Sequence, residues 1–378
     1  MTVIAFTTVQ AERPLYQRDV LNAMAYPANW LLNLTYRGRW LDAETLKLIR
    51  SRKLKGRAIL IVLCGEPTPG PDDQFQKIVP VRLGTILAAT GTEDLDQENG
   101  IAFLRVKLAG RPGQQLLDVF QPASASGPPA PGLPSVPRPS GEGSFFLQTC
   151  PGFSFGEETS VGWDKHVERL KEIEAIKDSH WFRMIRVVER EPSFKAAQEP
   201  ERVHDERLDT NLLRLAGGRL YEIEFYVDPG SLVAGETRPV ELAVQGEHLD
   251  ISEPLVKQYG SGATVSYLLA AKKQYASELV TVVARGPRPK PAPVSPTPPA
   301  RLGPEIQMVF RIGPGRGFWL WVIVLVTLGS LGLNVDSAFL KALDVGKAEI
   351  WALAVKTAGS LVLALAGWFA FRRLPIKI

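Results

Sequence analysis

Along the chain the spacing of apolar and polar positions changes character several times. From residue 2 to 108 short runs rich in β-branched and aromatic residues, at 2–7, 30–36, 57–64, 79–89 and 101–108, are broken by Gly, Pro, Asn or Asp clusters, the pattern of strands. RAILIVLC at 57–64 is apolar without interruption, as in a strand buried on both faces. Asp42 is placed to cap a short helix over 43–50. These elements predict a β-rich N-terminal domain over 1–120. Residues 121–144 (QPASASGPPAPGLPSVPRPSGEGS) hold almost nothing to bury and read as a disordered loop. An α+β continuation over 145–208 follows. Its centre is an amphipathic helix at 163–177, with Val167, Leu170, Ile173 and Ile176 on one face.

From 209 to 285 short strands recur with glycine-rich turns between them. LYEIEFYV sets Leu220, Ile223 and Phe225 against Glu222, Glu224 and Tyr226, a half-buried antiparallel pattern with one slip. That spacing predicts an immunoglobulin-like β-sandwich, although the Cys pair and core Trp of true immunoglobulin domains are absent. Residues 286–304 are proline-rich and predict an extended polyproline spacer, a stalk. EIQMVFRI at 305–312 reads as one more strand.

The last sixty residues change again. Runs at 317–335 and 350–371 are almost wholly apolar, and each, as a helix, is long enough for a hydrocarbon core about 30 Å thick. The expected fold class is therefore a mainly β cytoplasmic region with a C-terminal two-helix transmembrane hairpin. Trp319, Trp321 and Trp368 would anchor one interface and Trp351 the other. Arg311 and Arg316 before the first run, and Arg372, Arg373 and Lys377 after the second, place both termini in the cytoplasm and the protein in the inner membrane. Lys356 is the one charge within the second run. It shares a four-residue stripe with Ala352, Ser360 and Ala364, and Gly329 and Gly332 permit close approach in the first helix, so these residues form the expected oligomer face.

Composition narrows the chemistry. The 44 basic and 40 acidic residues are nearly balanced, and much of the excess lies in the linker and helix flanks, which gives no nucleic-acid footprint. Cys64 and Cys150 sit in apolar strands, consistent with reduced thiols. The N-terminus MTVIAFTTVQAERP lacks the build of a signal peptide. GFSFG at 152–156 spells a nucleophile elbow around Ser154, yet Pro151 precedes it and no helix follows at once, so catalysis there is not expected. His204 beside Asp205 suggests a metal dyad, but the four histidines, 166, 180, 204 and 248, have no ligand spacing. No phosphate loop occurs. Neither enzyme chemistry nor a cofactor or metal is expected.

The layout of β-rich body, proline-rich stalk and two-helix end resembles the two-helix membrane effectors of prokaryotic anti-phage, abortive-infection systems. The resemblance covers the layout and the hairpin, including Lys356. It implies a protein that binds a signal or partner, assembles as a homo-oligomer and perturbs the bilayer. The alternative is a membrane-tethered scaffold whose β-domains recruit a protein partner, the hairpin being only an anchor.

Overall fold

A computed structural model describes residues 1–8, 14–65, 77–97, 99–120, 145–151, 153, 159–177, 179–190, 198–205, 208, 210–228, 237–251, 254–259, 264–273, 277–286, 303–314, 316–333 and 347–371. The chain is mainly β.

β1 (Thr2–Thr8) and β3 (Ala58–Cys64) pair in parallel near the middle of a six-stranded sheet and are buried on both faces, which is why both read as unbroken apolar runs. β4 (Ile78–Gly91) and β5 (Ile101–Leu108) extend the sheet antiparallel. β2 (Leu31–Arg37) forms one edge and β6 (Leu147–Cys150) the other, in the order β2-β5-β4-β3-β1-β6. The parallel pair requires a crossover, which carries α1 (Pro14–Ala25) and α2 (Ala43–Arg50). Asp42 caps α2 by accepting from Thr45 N at 2.6 Å, and its other oxygen accepts from Thr149 N at 2.9 Å, so the cap also fixes the edge strand β6.

After α3 (Gln114–Val119), α4 (Trp163–Lys171) and α5 (Glu174–Lys177) the chain builds a sandwich. One sheet holds β7 (Phe182–Arg190), β10 (Leu220–Val227), β12 (Leu249–Ile251) and β14 (Thr264–Ala271), in the order β12-β14-β10-β7. The other holds β8 (Arg202–Asp205), β9 (Thr210–Ala216), β11 (Arg238–Gln245), β13 (Val256–Tyr259), β15 (Glu278–Arg285) and β16 (Glu305–Gly313), in the order β13-β11-β15-β16-β9-β8. Between the sheets Phe182, Phe225 and Tyr267 meet edge to face, and the Tyr267 hydroxyl donates to the Val240 carbonyl at 2.5 Å. The proline-rich run expected as a stalk lies, over 287–302, outside the described residues. The residues that flank it meet, Gly286 N donating to Pro304 O at 3.1 Å, and β15 and β16 pair antiparallel along their length. A continuous core runs through both β bodies.

The last two helices among the described residues, α6 (Arg316–Leu333) and α7 (Ala348–Phe371), pack on each other. The expectation of a transmembrane hairpin is corrected here: among the described residues no helix is long and apolar enough to cross a membrane. The first described helix, Arg316–Leu333, opens on a charged residue. The second, Ala348–Phe371, carries the polar residues Lys356, Thr357 and Ser360, all exposed. The inner-membrane placement and the cytoplasmic assignment of the termini, which were built on the spans, fall with them.

Candidate functional site

The element that positions the site is α1. Pro14 opens it with φ already set for a helix. Val20, Leu21, Ala23, Met24 and Ala25 are all buried, because the helix packs against β1, β2 and β4 of the first sheet and also against β7 and β16 of the sandwich. It is the wedge between the two bodies. Asn22 Oδ1 accepts from Glu305 N at 2.8 Å, and the Tyr26 hydroxyl accepts from Gln307 N at 2.7 Å and donates to Gln307 O at 3.1 Å. These bonds satisfy the start of β16 where β9, which pairs only from Phe310 to Gly313, does not reach. Asn29 then takes a left-handed conformation (φ 67°), and its N–H donates to Leu108 O at 2.7 Å as the chain turns into β2. Trp30 follows, stacked on Tyr26 and edge-on to Phe310.

Beside this wedge lies a cleft of about 320 Å³, walled by Arg18, Asn22, Tyr26, Asn33, Arg105 and Gln307 among others. A narrower recess of about 50 Å³ continues it past Trp30 and Leu213. Leu31, Leu32 and Asn33 all line the cleft. Three consecutive residues at the start of β2, with Arg105 of the neighbouring β5, thus border the cleft at the rim of the sheet. Among the described residues β2 pairs with β5 alone, and an edge strand offers unpaired N–H and C=O groups.

Charge in the cleft is mixed. Glu305 stands 3.7 Å from Arg18 and 3.6 Å from Arg285, and Arg105 Nη1 donates to Leu208 O at 3.4 Å. Burial pushes the Tyr26 hydroxyl far above its ordinary value, so it stays protonated and serves as a donor. On the same helix burial raises the Asp19 carboxyl to about 7, against the lowering effect of Arg18.

The residues expected to form an oligomer face are divided by the structure. Ala352 is buried, together with Gly359, while Lys356, Ser360 and Ala364 are exposed. Gly329 is buried at the crossing, where a Cβ would meet the Leu363 Cγ at 2.7 Å and the Gly359 carbonyl at 3.1 Å. The contact face of α7 thus runs through 352, 355, 359 and 363 rather than down the four-residue stripe. Trp321 and Trp351 are 68% and 56% exposed. The side chains of Gly332's neighbourhood, Trp319 and Trp368 lie outside the described residues, as does Ser154. His166 is wholly buried with Nε2 2.8 Å from Pro80 O, and Asp205 Oδ1 accepts from Leu208 N at 3.1 Å. Among the described residues no group of acidic, His and Cys side chains could hold a metal ion.

No family model matches the chain, and no curated protein does. Among solved structures it is similar to a class 5 fimbriae chaperone, CfaA, at 13% identity and a TM-score of 0.21, over 28% of this chain and 54% of that one. A chaperone–tip adhesin complex of CFA/I fimbriae biogenesis matches at 14% identity and a TM-score of 0.21, over 27% and 54%. The chain thus spans about half the length of these structures.

Sequence reading missed α1 and with it Arg18, Asn22 and Tyr26. Its buried residues Val20, Leu21, Ala23, Met24 and Ala25 run almost contiguously, so no stripe of helical period stands out, and the one available signal was Pro14 ahead of a stretch free of Gly.

Proposed function

We propose that this protein is a binding module that recruits a protein partner through the cleft at the seam of its two β bodies and performs no covalent chemistry. The observation that carries the reading is the exposed edge of β2 beside a cleft lined with donors and acceptors of both charges. An extended segment of a partner can add to such an edge by main-chain hydrogen bonds, while side-chain recesses such as the one beside Trp30 supply selectivity. The cleft side chains support binding rather than catalysis, since Tyr26 is held protonated and already committed to Gln307.

The test is a randomised peptide library selected on the natural chain, with affinities of enriched peptides measured by fluorescence anisotropy. Binding near the micromolar range that weakens at least tenfold in Arg105→Ala and in Asn33→Ala is the expected result. Peptides that bind all three chains equally, or no enrichment at all, would remove the cleft as the recruiting surface.

A further inference from the structure

A second cavity, of about 300 Å³, lies on the other side of Tyr26, between the end of α1, β4, β7 and the segment that follows β5. We infer that it binds an oxyanion of the phosphate type, free or as the monoester of a small molecule.

Three guanidinium groups converge on it from three elements: Arg82 from β4, Arg111 after β5, and Arg183 from β7 of the sandwich. Arg82 is 2% exposed, and its Nε has no hydrogen-bond partner; the buried Nε of Arg183 has none either. A buried guanidinium nitrogen without a partner is costly, and three guanidinium groups gathered at one cavity repel one another. Burial first, and then the charges of Arg111 and Arg183, pull the Arg82 guanidinium down to about 9. Asp164 is the carboxylate whose charge acts on Arg111, and it also bonds the Tyr226 hydroxyl. His166 lies close enough to feel Arg111 and Arg82 and is held neutral, so it adds no charge. Three guanidiniums less one carboxylate leave about two positive charges, which matches a phosphate monoester near its dianionic form.

The side chains are held ready. Arg111 Nε donates to Val161 O at 3.0 Å and its own carbonyl accepts from Ser160 Oγ at 2.8 Å, which fixes the base of the side chain. Arg183 lies over the Trp163 and Tyr226 rings, 5.2 and 5.4 Å from their centroids. Planar forks positioned in this way suit the several acceptor oxygens of a phosphate group. The remaining wall is apolar, from Met24, Pro27, Met184 and Ile185, and the volume exceeds what a bare ion fills, so an organic group has somewhere to lie.

The full chain is tested by thermal unfolding and calorimetric titration in chloride buffer at constant ionic strength. The probes are inorganic phosphate, glycerol 3-phosphate, phenyl phosphate and, as the carboxylate control, benzoate. Phosphate-type probes are expected to raise Tm by about 5 °C at saturation, with benzoate well below them. Tighter binding of the esters identifies a monoester as the ligand, and equal binding identifies the free ion. Arg82→Met should fold with Tm at or above that of the natural chain and lose the shift, because the buried charge is a burden without its anion. Arg111→Gln, at a more accessible position, should weaken binding at least tenfold. No shift beyond chloride, or the same shift in both variants, would overturn the assignment.

Discussion

Single side chains in this protein show what burial does to charge. Asp19 is the clearest case. Its carboxyl rises from 3.8 to about 7 through burial, so between those values the folded chain holds a proton that the unfolded chain has released. Its contribution to stability is therefore full below about pH 4 and lost as pH rises through about 7. Asp19→Asn should gain on the natural chain across that window and no further above it, as read by urea unfolding at a series of pH values. A constant difference from pH 4 to 8 would refute this. The variant is needed because His166, lowered to about 4 mainly by burial, slopes the other way, its stability being lost as pH falls from about 6.5. The two cysteines follow the same physics. They are buried at opposite ends of β1, opposite Thr8 and Thr2, and burial raises both thiols.

At the scale of elements, legibility depended on whether an element has one environment or two. α2 was readable because Asp42 caps it and its outer face is solvated. β3 was readable as an unbroken run because both its faces are covered. β10 shows the limit: Tyr221, Ile223, Phe225 and Val227 fill the core, while Leu220, expected inward, is 46% exposed at the end of the strand. The terminal helix pair turned on which residues meet. Gly329 meets Gly359 and Leu363, and Gly329→Val would drive methyl groups into a contact with no spare room. Amide exchange should become faster in both 316–333 and 348–371 in that variant, with the sandwich strands unchanged. Equal protection in both chains would show that the crossing tolerates the bulk.

For the molecule as a whole, the seam is the decisive feature. One core runs through both bodies, and α1 touches each of them. Tyr26→Phe removes both part-buried bonds to Gln307, a loss of about 1 kcal/mol. Calorimetry should show one transition for the natural chain at a higher temperature than for the variant. Two resolved transitions in the natural chain, with the variant altering neither, would mean that the bodies unfold independently of the seam.

Local pattern alone determined the mainly β character, the position of most strands and the Asp42 cap, since each depends on alternation or on a hydrogen bond within a few residues. It also set apart the two proline-rich runs and the apolar end. Only tertiary structure decided that the flanks of the second run meet, because pairing of β15 with β16 brings Gly286 and Pro304 together. The cleft and the arginine cavity had no local signature. Arg18, Arg82, Arg105, Arg111 and Arg183 stand far apart in the chain, each unremarkable in its own strand, helix or loop. They gain meaning where α1 draws the two bodies together, because charge acts through space and burial is a property of the assembled core.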